Sequence, residues 1–296
     1  MDKRPLIVFS RQDHTQRKGF DPLLGRIQTA TIGDERIPDA PVVYMRAAHR
    51  LFDNEGLEAL KVEKRLRARG CRVVNSIRNR IIAQRKDLYY PILLRNNILT
   101  PFFIAQPVWN EILMCVEDNH LRLPFLYRTL DEAGGRGMFI VGNEPNFNDV
   151  RKAMLHRRCM AVQFINSKGG GPYFRKYRAT VVGGKVYMWG GSISVHWNTE
   201  DVSGAKFSLK DFVDANRSEA APTQFNGKIE QIGKILNTEI FAVDMVQDHR
   251  THKFYVVDVN PTCMVFTPPP FFPKEVIEHR SGYFKAVVDY LCGVAK

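Results

Sequence analysis

The stretch Phe254–Pro261, FYVVDVNP, constrains this chain more than any other. Its Val, Phe and Tyr content is that of a buried strand, yet it carries Asp258 and Asn260 two residues apart. Side chains two apart on a strand share a face, so a carboxylate and an amide project side by side from a segment that otherwise belongs in a core. A second apolar run, Ile240–Val246, carries Asp244, and QDHRTHK between the two runs reads as a hairpin turn. The pairing brings Asp244 opposite Asp258 and Asn260. Buried carboxylates are costly without partners, and three hard oxygen ligands suit Mg²⁺. The competing reading, in which each residue caps a turn or meets an arginine, needs three structural coincidences in two strands. His249 and His252 have a spacing that binds metal on a helix, but in this turn they read as solvated.

Composition narrows the class. At 296 residues, with 44% hydrophobic and 25% charged, the chain has the makeup of a globular protein with an ample core. Apolar runs all fall short of a membrane span, and MDKRPLIVFSRQD reads as a first strand, so the protein is expected in the cytoplasm, away from membranes. Five cysteines (71, 115, 159, 263 and 292) make no CxxC pair, which argues against a disulfide framework or structural zinc. The net charge of +12 arises from short clusters, Lys61–Arg69, Arg78–Lys86, Arg151–Arg158 and Arg175–Arg178. No nucleic-acid-binding signature accompanies them, so they point to anionic small molecules rather than a specific nucleic acid.

Leu6–Ser10 and Val42–Met45 read as strands, Asn54–Arg69 as a helix with Leu57, Leu60 and Leu66 on its apolar spacing, Val73–Val74 as a strand, and Ile77 to about Asn96 as a second helix. This alternation predicts a small α/β unit over residues 1–100. Beyond Thr100-Pro101 follow strands Phe125–Arg128 and Met138–Val141, a helix Asp149–Arg158 capped by Asn148, and a strand Ala161–Ile165. Tyr173–Val182 and Val186–Trp189 flank Gly183-Gly184, a hairpin signal. Trp197–Asn216 reads as a polar surface stretch, Phe225–Leu236 as a helix and Gly282–Val294 as a last helix. LYRTLDEAGGRGMFIV sets Arg128 at a strand end before a glycine-rich turn, Gly134-Gly135-Arg136-Gly137, whose backbone N–H groups can approach phosphates.

The order of these pieces resembles the ATP-grasp superfamily, in the branch of glutathione synthetases, ribosomal-protein glutamate ligases and D-alanine–D-alanine ligases. The resemblance covers residues 70–265 and is carried chiefly by the FRKYRATVVGGKVY hairpin and the closing Asp244…Asp258-Val-Asn260 arrangement. It implies an α/β (α+β) fold with a small N-terminal domain (1–100) and an ATP-grasp domain (101–296) of two subdomains with ATP between them. It further implies that Lys86 and Arg128 contact the phosphates, Gly134, Gly135 and Gly137 close over them, and Gln163, Phe164 and Ile165 form the adenine hinge. Arg178 would meet the γ-phosphate, and Asp244, Asp258 and Asn260 would hold Mg²⁺, with Mn²⁺ as a substitute. The chain departs from the pattern in having Arg128 for a lysine, Asp258 for a glutamate and Gln163 for an acid. Aligning by the following leucines would set Asp87 in place of Lys86. The segment after Asn260, PTCMVFTPPPFFP, is also unlike the family's small-residue turn.

Three readings follow from that resemblance. The first is an ATP-dependent carboxylate–amine ligase that forms an amide through an acyl phosphate, acting on small-molecule or peptide carboxylate and amine substrates. The second is an ATP-grasp kinase of an anionic small molecule, favoured by the basic charge and Asp258. The third is a non-catalytic nucleotide-binding protein, which intact metal ligands argue against. His196, Trp197 and Asn198 are candidates for substrate contact or for a packed turn. A homodimer stays open.

Overall fold

Among the described residues, three sheets of four strands each organise the chain. The structure, a computed structural model, describes residues 3–11, 17–34, 36–46, 54–130, 137–142, 144–153, 157–168, 171, 173–197, 225–262 and 274–296.

The first sheet is parallel, in the order β2-β1-β3-β4, from β1 (Leu6–Phe9), β2 (Gln28–Thr31), β3 (Val42–Arg46) and β4 (Arg72–Val74). β1 and β3 are buried along their whole length, as a parallel sheet covered on both faces requires. Leu6, Val8, Val43 and Met45 pack against Ala59, Val62 and Leu66 of helix α1 (Asn54–Ala68). Leu57, expected on that stripe, is exposed instead. Ile7, Phe9, Val42 and Tyr44 pack on the other face against Tyr283, Phe284, Val287 and Leu291. Those last residues lie on the closing helix, which runs from Lys274 rather than Gly282 to Val294. The α/β fold class holds, and one face of this sheet is covered by the closing helix, from outside residues 1–100.

Where one helix was expected from Ile77 to Asn96, two are found, α2 (Ile77–Gln84) and α3 (Lys86–Arg95). Arg85 between them is extended (φ −106°, ψ 99°), and its guanidinium is clasped by Asp87 through Nε at 2.7 Å and through Nη2. The break sets Lys86 as the first residue of α3.

The second sheet is antiparallel, β5-β8-β6-β7, from β5 (Phe103–Ala105), β6 (Phe125–Thr129), β7 (Met138–Val141) and β8 (Cys159–Gln163); helix α4 (Trp109–Glu117) follows β5. β2, β5 and α4 were not anticipated. Helix α5 occupies Glu144–Ala153 rather than Asp149–Arg158. Pro145 is tolerated in a first helical turn, and the Arg158 carbonyl is taken by the Leu130 amide at 2.8 Å as the chain enters β8.

The third sheet, β10-β9-β11-β12, is antiparallel and consists of β9 (Phe174–Val182), β10 (Lys185–Ser194), β11 (Ile240–Gln247) and β12 (Phe254–Asn260), with helix α6 (Asn226–Ile235) before β11; the closing helix is α7. Gly183 and Gly184 turn the β9–β10 hairpin at φ +59° and +80°, and a Cβ on Gly183 would lie 2.4 Å from the Tyr290 ring. Among the described residues no helix is long and apolar enough to cross a membrane, and Cys71, Cys115, Cys159 and Cys292 form no disulfide.

Candidate active site

Strand register assembles the acidic group. Asp244 on β11 pairs directly with Asp258 on β12 and with Arg178 on β9, forming one rung; Ala242 pairs with Asn260 and Thr180 in the next. Directly opposed residues share a face, so Arg178, Asp244, Asp258 and Asn260 stand together. The intervening residues Ala179, Val181, Phe241, Val243 and Val259 are buried on the other face with Ile229 and Ile232 of α6. Asn75, at φ 54°, fixes the rungs from the end of β4. Its Oδ1 accepts from the Glu239 and Ile240 amides at 2.9 and 3.0 Å, and its Nδ2 donates to the carbonyls of Ile240 and, at 2.9 Å, Pro261.

Each acid already has a partner. Arg178 forks onto Asp244, Nε to Oδ1 at 2.5 Å and Nη2 to Oδ2 at 2.7 Å. Lys176, two residues earlier on the same face of β9, reaches Oδ2 at 3.2 Å. Burial works to raise the Asp244 carboxyl, but Arg178 and Lys176 override it and hold it well below the usual carboxylate range. Asp258 is ion-paired with Lys86 and receives the Tyr89 hydroxyl at 3.4 Å. Tyr89 also accepts from the Val259 amide at 3.1 Å, and Tyr90 donates to the Val257 carbonyl at 3.0 Å, so α3 is laced along β12. Burial pushes the Lys86 ammonium down; Asp258 opposes that and nearby Arg128 adds to it. Asn260 Oδ1 accepts from the Thr262 amide at 3.0 Å and hydroxyl at 2.5 Å.

Two opposed carboxylates, with an amide oxygen one rung away, form the hard-oxygen set that suits Mg²⁺, and the Asp258 side chain keeps 42% exposure through which an ion can reach it. The residues therefore fit the metal. They fit a polyphosphate as well. Lys86, Arg128, Lys176 and Arg178 exceed the two carboxylates by two positive charges, and Arg128 Nε is buried with no hydrogen-bond partner among the described residues. A buried donor without a partner is costly, and a phosphate oxygen would relieve it.

The other sequence candidates lie around this group. Gln163 ends β8, and its amide is spent on the Arg122 backbone, accepting from N at 2.8 Å and donating to O at 3.3 Å. Phe164 follows, its ring 6.1 Å from that of Phe174, and Ile165 lies beside it, half-buried. Gly137 has φ +60°, and its carbonyl accepts from the Thr129 amide at 2.9 Å; Gly134 and Gly135 lie outside the described residues. Asp87 is bound to Arg85 and not to the acidic group. His249 and His252 occupy the β11–β12 turn. The His196 amide donates to Ser194 Oγ at 3.0 Å, while Asn198 is outside the described residues. Sequence reading overlooked Lys176, Tyr89 and Thr262. The spacing of Lys176 and Arg178 in FRKYR was the available signal, since a strand sends both to one face.

No family model matches this sequence, and no curated protein matches it. Solved structures do. A RimK domain ATP-grasp protein from Sphaerobacter thermophilus matches with a TM-score of 0.63 at 13% identity, over 97% of this chain and 99% of that one. The ATP-grasp ligase PsnB, complexed with a minimal precursor, Mg and ADP, matches with a TM-score of 0.66 at 13% identity, over 100% and 99%. D-alanine–D-alanine ligase from Bacillus anthracis, complexed with ATP, matches with a TM-score of 0.63 at 14% identity, over 99% and 98%. At such identities the likeness shows the fold: the chain has the ATP-grasp fold.

Proposed function

We propose that this protein is an ATP-dependent carboxylate–amine ligase. The observation that carries this reading is the Arg178–Asp244–Asp258 rung, with Lys86 and Arg128 beside it. ATP lies between the second and third sheets, the adenine against the backbone of Gln163, Phe164 and Ile165 and the Gly134–Gly137 loop over the phosphates. The reading keeps residues 1–100 as an N-terminal domain and 101–296 as the nucleotide-binding one, the two joined where α3 is laced along β12 and α7 packs on the first sheet. The named functions of PsnB and D-alanine–D-alanine ligase support a ligase over a kinase.

Asp244, Asp258 and Asn260 would hold Mg²⁺, which supplies charge neutralisation to phosphate oxygens. Lys86 and Arg128 bind the α- and β-phosphates, and Arg178 orients the γ-phosphate toward the acceptor. The acceptor carboxylate attacks the γ-phosphorus and ADP leaves. The amine then displaces phosphate from the acyl phosphate. For both steps the protein's share is positioning and preorganised charge.

Hydroxylamine tests this directly, because it intercepts acyl phosphates. Purified enzyme with MgATP, a panel of amino acids and short peptides as carboxylates, and hydroxylamine should yield a hydroxamate and free phosphate. Phosphate retained on the organic acceptor with no hydroxamate would decide for the kinase.

A further inference from the structure

Strands β11 and β12 pair as far as Ala242 and Asn260. The next residue on β12's path, Pro261, has no N–H with which to continue the ladder. The side chain of Asn75 takes over there. Its Oδ1 accepts from the Glu239 and Ile240 amides at 2.9 and 3.0 Å, and its Nδ2 donates to the carbonyls of Ile240 and, at 2.9 Å, Pro261. Two acceptor and two donor positions are all that a side-chain amide has, and every one is spent on joining the two strands. Asn75 is 1% exposed and follows β4 directly. The tie beyond Asn260 is therefore supplied by the end of a strand in the first sheet.

A second grip comes one residue further on. Arg46, the last residue of β3 and equally buried, donates from Nη1 to the Thr262 carbonyl. Thr262 in turn holds the Asn260 side chain, its amide donating to Oδ1 at 3.0 Å and its hydroxyl at 2.5 Å. A backbone amide can only donate, so it fixes which end of the Asn260 side chain is oxygen. The hydroxyl rotates, so its bond can give way to an ion while the amide keeps the oxygen end in place. Pro261 is thus held by Asn75, Thr262 by Arg46 and Asn260 by Thr262.

We propose that Asn75 and Arg46 are positioning residues for the metal. Neither belongs to the ligand set; from the ends of β4 and β3 they fix the Asn260–Thr262 segment and so aim the amide oxygen of Asn260. The proposal rests on the reading of Asp244, Asp258 and Asn260 as the Mg²⁺ ligands. Residues 1–100, which contribute none of those three, then still decide how well the ion is held.

Titration of the full chain with Mn²⁺ in the presence of ADP, read from the electron paramagnetic resonance of the free ion, tests this. Arg46→Met, which removes the donor and keeps the bulk, should weaken Mn²⁺ about tenfold or more, the usual cost of losing a group that orients a metal ligand. Arg46→Lys, which keeps a donor, should restore most of the loss. Asn75→Asp keeps the acceptor for Glu239 and Ile240 but loses the donor to Pro261. It should weaken Mn²⁺ by a like factor and serves as the test if Arg46→Met does not fold. Binding of ADP without metal should be unchanged in all three. Wild-type Mn²⁺ affinity in both Arg46→Met and Asn75→Asp, whatever their melting temperatures, overturns the proposal, as does an equal loss of metal-free ADP binding. Asp258→Ala checks the underlying reading separately: if that variant binds Mn²⁺ as the wild type does, the metal assignment fails and takes this proposal with it.

Discussion

On one face of the β10-β9-β11-β12 sheet, Ala179, Val181, Phe241, Val243 and Val259 are buried against α3 and α6. On the other, the same strands present Lys176, Arg178, Asp244, Asp258 and Asn260. Phe241 and Val243 are one residue from Ala242 and Asp244, so a single period-2 alternation serves both faces. The apolar face stabilises by removing hydrocarbon from water, about 1.5–3 kcal/mol for each large side chain. The polar face holds charges that burial penalises, tolerated because each carboxylate is met by a cation or hydroxyl. Stability and chemistry therefore separate by face, and substitutions on either side can break that division.

The largest effect is expected on the polar face. Asp258→Ala should lower turnover at least about a thousandfold, since losing the metal's charge costs several kcal/mol of transition-state stabilisation. The melting temperature should change little, because the Asp258 side chain is 42% exposed and buried Lys86 can answer the loss of its partner by shedding a proton. ADP release and thermal melting measure the two quantities; wild-type turnover would remove Asp258 from the site. Phe241→Ala should invert the pattern, destabilising by about 3–5 kcal/mol in urea titration as its cavity opens. The folded fraction should keep its MgADP affinity. A cost below about 1 kcal/mol would show that the apolar face is not what holds the sheet.

How much of this was legible in the chain depends on how local the cause is. Strand alternation is local, and FAVDMV and FYVVDVNP carried it openly, so the shared face of Asp244, Asp258 and Asn260 could be read from spacing. Lys86 meets Asp258 across 172 residues, and Asn75 reaches Pro261 across 186; no local pattern encodes such pairings. The break at Arg85 follows from a side-chain clasp with Asp87, in a segment whose periodicity suits an unbroken helix. Helix α5 was misplaced by five residues because Asn148 makes a plausible cap, while the first turn starts at Glu144-Pro145. Lys176 was read as part of a basic cluster, although the strand expected over Tyr173–Val182 already set it on the face of Arg178.

Gly183 sharpens the comparison at the edge of the sheet, where neither face is at stake. Gly183→Ala would force an L-residue to φ +59° with its Cβ 2.4 Å from the Tyr290 ring. About 1–2 kcal/mol of destabilisation is expected for the left-handed backbone alone, more if the ring cannot shift. MgADP affinity should be unchanged, and a loss of affinity larger than the loss of stability would mean that the hairpin tip communicates with the site.

The smallest effect belongs to Asp248, in the turn that joins β11 to β12 and so serves both faces at once. Its Oδ1 accepts from the amides of Arg250 and Thr251 at 3.0 and 2.7 Å and from the Thr251 hydroxyl at 3.0 Å. Slight burial works to raise this carboxyl, but the Thr251 and Arg250 donors outweigh it and the net shift is downward from 3.8. A carboxyl lowered by folding stabilises above its unfolded value and loses that contribution as pH falls through the folded one. Asp248→Asn cannot titrate there and keeps one acceptor oxygen, so it should cost about 0.5–1 kcal/mol at pH 7. Urea titrations of both proteins should converge as pH is lowered below about 3.8. Stabilities that stay parallel across that range would mean that the turn is held by its backbone hydrogen bonds, with no contribution from the Asp248 charge.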